Sequence, residues 1–285
     1  MTITETQIKR ILTRASGYLK PVASHSLQPY RGCALGNSLC GVGCYVQHNF
    51  YLTRGETWGS FVEARTNAAE AYREEYESEK RWAHRRGERF GIFMSSSTEP
   101  FQPLEKKMGI TRAVLEEMVE RPPDFLIVQT HSHRVIDYLD LYPRLGEKTD
   151  LRFNISIESD RDELPGLPRA ASPVSKRIEA ANTLREVGMY VMAAVSPLLP
   201  IDDPHRFFEE LAGAVNAVVI DHYVGGDGSA GGSRTARTKL PAAMTEVNPR
   251  SVDLAYRDEM VRIAQVYFPG RVGTGNDGFA RRFLP

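Results

Sequence analysis

Six short apolar runs alternate along the chain with segments of helical periodicity, and this alternation limits the fold more than any other feature. The runs predict strands that end near residues 28–33 and that cover 90–94, 125–129, 151–157, 190–195 and 217–220. The intervening helices are predicted at 65–86, from Ile110, and at 135–141, 174–187, 204–214 and 252–268. Strand–helix alternation is typical of a parallel α/β sheet or barrel. We therefore predict an α/β fold, an incomplete (β/α)6 barrel with a C-terminal helical extension.

The length of 285 residues permits one large domain with extensions. We predict an N-terminal extension over 1–23, the partial barrel over 24–224, and a glycine-rich loop with a helical extension over 225–285. The segment 225–237 contains five glycines. Long glycine-rich loops at a barrel mouth often act as lids, so this segment is predicted to be a mobile lid.

Composition excludes several classes of protein. Lys and Arg number 36 and so do Asp and Glu, so no global field favours nucleic acid or an anionic membrane. No stretch approaches the roughly 20 apolar residues of a membrane helix, and the N-terminus lacks a hydrophobic signal core. These features predict a cytoplasmic protein without a membrane partner.

The only three cysteines, Cys33, Cys40 and Cys44, lie within twelve residues of a glycine-rich stretch. Thiolates so close together suit a soft metal centre, and three ligands leave one site of a cubane iron–sulfur cluster open. A zinc site completed by His48 or His25 is an alternative, as are three unrelated buried thiols. In a reducing compartment, cysteines bind metals more often than they form disulfides.

Polar residues follow each of the six predicted strands. Barrel enzymes place their chemistry at the carboxyl ends of the strands, so these residues should converge on one cavity. The second strand is followed by Ser95–Pro100 and the fourth by Ser156 and Glu158. His131, His133 and His222 also lie at strand ends, either as cavity residues or as part of a polar rim. The pattern favours a polar small molecule as ligand.

Several ordered motifs at these strand ends resemble the radical SAM superfamily, and within it the branch related to spore photoproduct lyase. The resemblance covers about residues 24–200 and rests on Tyr30-Arg31-Gly32-Cys33, Cys44-Tyr45, Ser95–Pro100 with Phe101–Glu105, Ile155–Glu158 and Pro168-Arg169-Ala170. The cysteine spacing differs from the superfamily's usual Cys-x3-Cys-x2-Cys, because here it is Cys-x6-Cys-x3-Cys.

The resemblance implies a radical-SAM-type barrel in which Cys33, Cys40 and Cys44 hold a [4Fe-4S] cluster. S-adenosylmethionine would bind the open iron, and an external donor such as flavodoxin or ferredoxin would supply the electron. The resulting 5′-deoxyadenosyl radical would abstract hydrogen from a substrate, with a nucleic acid or nucleotide as the candidate class. The implied activity is lyase-like.

The resemblance also implies a set of cofactor contacts. Hydroxyls can accept hydrogen bonds from an ammonium group, a carboxylate suits ribose hydroxyls, and a guanidinium can grip a carboxylate. A serine-rich turn, a helix-capping pair and a surface arginine are the structural alternatives for these residues. The predicted contacts are Tyr45, Ser95, Ser96, Ser97, Ser156, Glu158 and Arg169.

Counting leaves no cysteine to act as a hydrogen donor, a role that spore photoproduct lyases commonly give to a further cysteine. Tyr223 follows the sixth strand beside the glycine-rich segment, and we predict it as the catalytic donor. Two other function classes remain open at this stage. They are a zinc-binding module for nucleic acid or protein, and an iron–sulfur protein without catalytic activity.

Overall fold

The computed structural model describes all residues from 1 to 285 and shows a mixed α/β fold. The strands are β1 Thr2–Thr6, β2 Leu12–Arg14, β3 His25–Leu27, β4 Tyr30–Gly32, β5 Phe61–Arg65, β6 Gly91–Met94, β7 Phe125–Thr130, β8 Asp150–Ser156, β9 Tyr190–Val195, β10 Ala217–Ile220 and β11 Val272–Thr274. The helices are α1 Leu39–Gly43, α2 Phe50–Thr53, α3 Ala68–Arg85, α4 Glu105–Met108, α5 Ile110–Glu120, α6 Tyr142–Gly146, α7 Val174–Glu186, α8 Pro204–Ala214, α9 Tyr223–Gly226, α10 Leu240–Val247, α11 Leu254–Tyr267 and α12 Gly275–Phe279. None of these helices is long and apolar enough to cross a membrane.

Eight strands form the main sheet in the order β11-β10-β9-β8-β7-β6-β3-β2. All neighbours are parallel except β2, which runs antiparallel to β3. This arrangement confirms the predicted α/β class with a mostly parallel sheet. Strands β2 and β11, at the two edges, come from the segments predicted as terminal extensions.

A smaller sheet has the order β1-β5-β4 and was not predicted. The first predicted strand is in fact two strands, because β3 joins the main sheet and β4 joins the small one. Pro29 stands between them and has no N–H to donate to a ladder, so pairing changes there. The segment predicted as a helix at 135–141 is a 3-10 helix at His133–Tyr138 that α6 follows.

Buried side chains on the two faces of the main sheet form two separate layers of the core. Val128, Phe153 and Ile155 belong to the large cluster that also contains the buried faces of the helices. Ile127 and Met192 lie on the opposite face, in a smaller cluster that includes residues from both ends of the chain, such as Val22 and Phe279. Because side chains on a strand point alternately to the two faces, each strand serves both layers.

Two glutamates of α3, Glu75 and Glu79, are buried. Glu75 accepts hydrogen bonds from the backbone N–H groups of Ile11 at 2.6 Å and Leu12 at 2.9 Å. Glu79 accepts from Arg14 at 2.8 Å and lies 3.0 Å from Nε2 of His25. The carboxylates therefore fasten the N-terminal segment to α3.

Substitution of Glu75 by alanine should destabilise the protein by roughly 2–4 kcal/mol, because two buried N–H groups lose their acceptor. Glu74→Ala is the matched control, since Glu74 is exposed on the same helix. Urea denaturation of both variants measures the difference. Equal midpoints would show that the contacts with Ile11 and Leu12 do not contribute to stability.

Candidate active site

A cavity of about 140 Å³ lies at the carboxyl ends of the central strands. The loop of cysteines closes one side, and the segment after β10 closes another. The polar residues and the thiols of the lining include Cys40, Cys44, Tyr45, His131, Glu158, Ser172, Arg177, Tyr223, Asp227 and Thr235. The convergence predicted from the strand ends is therefore present for β7, β8, β9 and β10.

Close backbone packing shapes the loop that carries the thiols. Cys40 lies within α1, and Cys44 ends that helix with extended backbone angles. A Cβ atom on Gly41 would overlap the backbone of Leu35 and Gly36, so only glycine permits this fold of the loop. Gln47 then donates to the carbonyl of Cys44 at 2.9 Å and fixes the exit of the loop.

The three thiols are close enough for a charge on one to raise the pKa of another. Burial raises the pKa of the Cys33 thiol to about 12, and the neighbouring Cys40 adds to the effect. Burial, together with the same neighbour, raises the pKa of Cys44. No three cysteine, histidine or carboxylate side chains are arranged as a metal-ligand set in this conformation. Because burial disfavours the charged form of both thiols, thiolates at this site would need a cation that stabilises them.

The donor set fits a soft metal centre with an open position better than a closed zinc site. All three thiols come from one loop, and two of them line the cavity. His25, a candidate fourth ligand, is held between Ser24 and Glu79 on the α3 side of the sheet. His48 does not line the cavity.

A charged chain crosses the cavity wall from α7 to the thiols. Arg177 contacts Glu158 at 2.6 Å, and Nε2 of His131 lies 2.8 Å from the other carboxylate oxygen. Burial alone would raise the pKa of Glu158, but the charges of Arg177 and His131 outweigh it and lower this pKa to about 2. Burial likewise opposes a charge on His131, yet its interactions with Cys40 and Glu158 raise its pKa.

Glu99, which follows β6, forms hydrogen bonds with residues at the carboxyl end of β7. Its carboxylate accepts hydrogen bonds from the Thr130 hydroxyl at 2.5 Å and from the backbone N–H groups of His131 at 2.8 Å and Phe101 at 2.9 Å. Burial raises the pKa of Glu99. These bonds set the direction in which the chain enters the cavity at His131.

Of the residues predicted as site residues, Tyr45, Glu158 and Tyr223 line the cavity together with Cys40 and Cys44. The Tyr45 hydroxyl donates to the Ser96 carbonyl at 2.8 Å, so the Ser95–Ser97 turn lies beside the cysteine loop. Ser156 is fully buried and accepts from Gln129 at 2.7 Å, below the lining.

The structure does not bring the Arg169 side chain to the cavity. That side chain is 75 % exposed and pairs with Glu163 at 3.3 Å, while its carbonyl accepts from the Leu39 N–H. Arg177 is the guanidinium of the site, and sequence reasoning missed it. A signal was present, because Arg177 interrupts the buried stripe of α7 between Val174 and Ala181.

The glycine-rich segment is folded over the cavity, in short helical turns. Asp227 organises it by accepting from the N–H groups of Ser229 and Thr235, both at 2.8 Å. Gly232 has a φ of +69°, and a Cβ there would come within 2.7 Å of Tyr223. The segment predicted as a mobile loop is therefore a packed cover in this structure.

Comparison with known proteins places the fold. No protein-family model matches the chain. An uncharacterised protein of Methanocaldococcus jannaschii is 26 % identical over 181 residues, which are 63 % of this chain and 62 % of that relative, less than two thirds of its length.

Two solved structures of spore photoproduct lyase are similar to 96 % of this chain and to 81 % of their own, each with a TM-score of 0.64. One is complexed with dinucleoside spore photoproduct at 17 % identity, and the other is a variant with bound AdoMet and the same dinucleoside at 16 %. Identities this low establish the fold alone. The chain shares the fold of spore photoproduct lyase.

Replacement of Gly41 by alanine should open the cysteine loop, because the new Cβ overlaps the backbone of Leu35 and Gly36. We expect lower stability and faster alkylation of the thiols in the metal-free protein. Gly213→Ala is the control, since Gly213 is exposed on α8 with no atom within 4 Å of the added methyl group. Timed labelling with a thiol reagent and urea denaturation test both variants. Wild-type behaviour of Gly41→Ala would contradict the packing argument.

Proposed function

We propose that the protein is a radical SAM enzyme whose cluster is held by Cys33, Cys40 and Cys44. The observation that supports this most is that all the cysteines of the chain lie in one loop, and that two of them face a polar cavity. The similarity to spore photoproduct lyase in fold supports the proposal, because a cluster held by this loop would face the cavity. A structural zinc loop does not require the charged chain across the cavity.

A [4Fe-4S] cluster with S-adenosylmethionine, when bound, supplies an electron to the sulfonium and thereby a 5′-deoxyadenosyl radical. Three thiolates from one loop leave the fourth iron open for such a ligand. The tight contact of Gly41 with Gly36 fixes the loop before any group binds. The protein's own contribution is then to bind, orient and exclude water.

Glu158 is the strongest of the proposed cofactor contacts. It stays ionised because Arg177 and His131 hold it, and an ionised carboxylate accepts hydrogen bonds from ribose hydroxyls. Nε of Arg177 is buried without a hydrogen-bond partner, so a donor remains for a carboxylate. Tyr45, the serines Ser95, Ser96 and Ser97, and Ser156 complete the proposed surroundings of the cofactor.

Apolar residues and the folded cover restrict water at this site. Leu39, Leu199 and Leu240 form a small cluster with Tyr223. Burial raises the pKa of Tyr223, so its hydroxyl keeps its hydrogen near neutral pH. We propose Tyr223 as the residue that returns hydrogen to a substrate radical, since it lines the cavity with Cys40 and Cys44.

A nucleic acid or nucleotide is the proposed substrate class, and a lyase-like reaction the proposed chemistry. Support comes from the solved neighbours, three of which hold a dinucleoside spore photoproduct. We also propose an external electron donor such as flavodoxin or ferredoxin, a cytoplasmic location, and curvature of the main sheet into a partial (β/α)6 barrel over residues 24–224.

Anaerobic reconstitution should yield about four irons and four sulfides per chain, and each single change of Cys33, Cys40 or Cys44 to alanine should abolish the brown colour. With a chemical reductant and S-adenosylmethionine, only the wild type should release 5′-deoxyadenosine. Metal and sulfide analysis with chromatography of the products provides the measurement. One zinc per chain without labile sulfide would refute the cluster, and a stable cluster without 5′-deoxyadenosine would favour the iron–sulfur protein without catalytic activity.

Glu158→Gln should weaken S-adenosylmethionine binding about ten- to a hundredfold, because hydrogen bonds to a charged group are worth roughly 1.5–3 kcal/mol. Arg169→Ala is the control and should bind the cofactor normally, since its side chain is exposed outside the lining. The measurement is the equilibrium dissociation constant of S-adenosylmethionine for each reconstituted variant and for the wild type. A larger loss with Arg169→Ala than with Glu158→Gln would place the cofactor elsewhere.

A further inference from the structure

Strand β1 forms one edge of the small sheet and pairs with β5 on its inner side. The Thr2 N–H donates to the Ser60 carbonyl at 2.7 Å, and the Thr6 carbonyl accepts from the Thr66 N–H at 3.0 Å. Because the backbone groups of successive strand residues point to opposite sides of the strand, the even-numbered residues of β1 face β5. The backbone groups of the odd-numbered residues therefore point outward, away from the sheet.

The outward groups belong to Ile3 and Glu5. No hydrogen bond from another segment of the chain reaches their N–H and carbonyl groups. Both residues are exposed, so another chain has access to them. An accessible row of unpaired strand groups is a template for a further strand, and proteins commonly block such an edge with proline or lysine. Strand β1 contains neither of these residues.

The other edge strands are protected. Strands β2, β4 and β11 have only three residues each. Glu75 accepts from the Leu12 N–H on β2 at 2.9 Å, which covers that edge. The Leu284 N–H donates to the Val272 carbonyl on β11 at 2.8 Å, and the Thr98 hydroxyl donates to the last carbonyl of β4. The five-residue strand β1 is therefore the longest edge of either sheet and the open one.

Ile3 gives the open edge an incompletely covered apolar side chain. It pairs directly with Val62, and directly paired residues share a face of the sheet. Val62 is fully buried in the large core cluster, whereas Ile3, at the rim of the same face, is 48 % exposed. A strand added at this edge would extend the face and cover Ile3.

A second copy of β1 that runs antiparallel matches this edge. The register that overlaps all five residues places Ile3 opposite Glu5 of the second copy, and it places Thr4 opposite its own counterpart. The outward groups of Ile3 and Glu5 then all form hydrogen bonds. Thr2 lies opposite Thr6, and cross-strand threonine pairs are favourable. No like charges stand directly opposite, and with 36 basic and 36 acidic residues two copies have no net repulsion.

We propose that β1 is a dimerisation strand, which joins two copies of this chain by antiparallel pairing about Thr4. The two small sheets then form one sheet of six strands in the order β4-β5-β1-β1-β5-β4. The shared sheet includes the strand that leads directly into Cys33 in each copy. No residue of β1 lines the cavity, so the dimer does not depend on the proposed function. Two short strands bury little area, and the dissociation constant should be on the order of micromolar.

Analytical ultracentrifugation of the full-length, metal-free protein measures this dissociation constant. Ile3→Lys places an opposite charge against Glu5 twice in each dimer, and Ile3→Glu places a like charge there. The two variants are matched, since both remove the same exposed apolar side chain. Ile3→Lys should therefore dimerise about tenfold more tightly than Ile3→Glu. A wild type that stays monomeric at its highest soluble concentration, or equal dissociation constants for the two variants, would overturn the proposal.

Cysteine cross-linking under mild oxidation tests the register. Thr4→Cys should give a disulfide-linked dimer, because Thr4 and its counterpart form a non-hydrogen-bonded pair with Cα atoms about 4.5 Å apart. Thr2→Cys is the matched control, since its two copies lie four strand positions apart, about 14 Å. The wild type gives the background from the three native cysteines. Cross-linking of Thr2→Cys as readily as Thr4→Cys, or of neither above the wild type, would refute the antiparallel pairing.

Discussion

The ion pair between Glu158 and Arg177 determines how the site is held together. Arg177 reaches from α7 across the end of β8, where its guanidinium also donates to the Ser156 carbonyl. Through His131 the same carboxylate connects to β7 and to the thiol of Cys40. Two buried charges cost too much free energy to persist unpaired, so helix, strands and cysteine loop must adopt one mutual arrangement. The cavity is the space that this arrangement leaves.

The interior changes from apolar to polar along each strand. At the floor, Ile127 and Met192 pack against residues from both chain ends, which closes that end of the sheet to water. Gln129 and Asn154 follow, and His131 and Glu158 come next. This gradient places uncharged hydrogen-bonding groups deep and ionised groups near the opening.

Much of the fold could be predicted from the sequence because its strands are fully buried. The strands at 190–195 and 217–220 were predicted with the bounds that the structure shows, since each is a continuous apolar run. The strand β1 was missed because its sequence, Thr-Ile-Thr-Glu-Thr, is exposed and has no buried face. The burial of Glu75 was also missed, although it shares the helical spacing of the buried Ala68 and Tyr72, because a glutamate is ordinarily assigned to the solvated face.

The candidate site also has features that follow from the sequence and features that follow only from the tertiary structure. The sequence by itself determined the cysteine loop, the glycines that it needs, and the polar strand ends, because these depend on residue type and local spacing. Only the tertiary structure decided that Arg177, and not Arg169, faces the cavity, because the two are eight residues apart on a loop and a helix whose orientation local spacing does not set. The alignment of the ends of β3, β6, β7 and β8 likewise exists only through strand register, which joins segments that are far apart in the chain. Register depends on packing of the whole sheet, and no single segment of the chain encodes it.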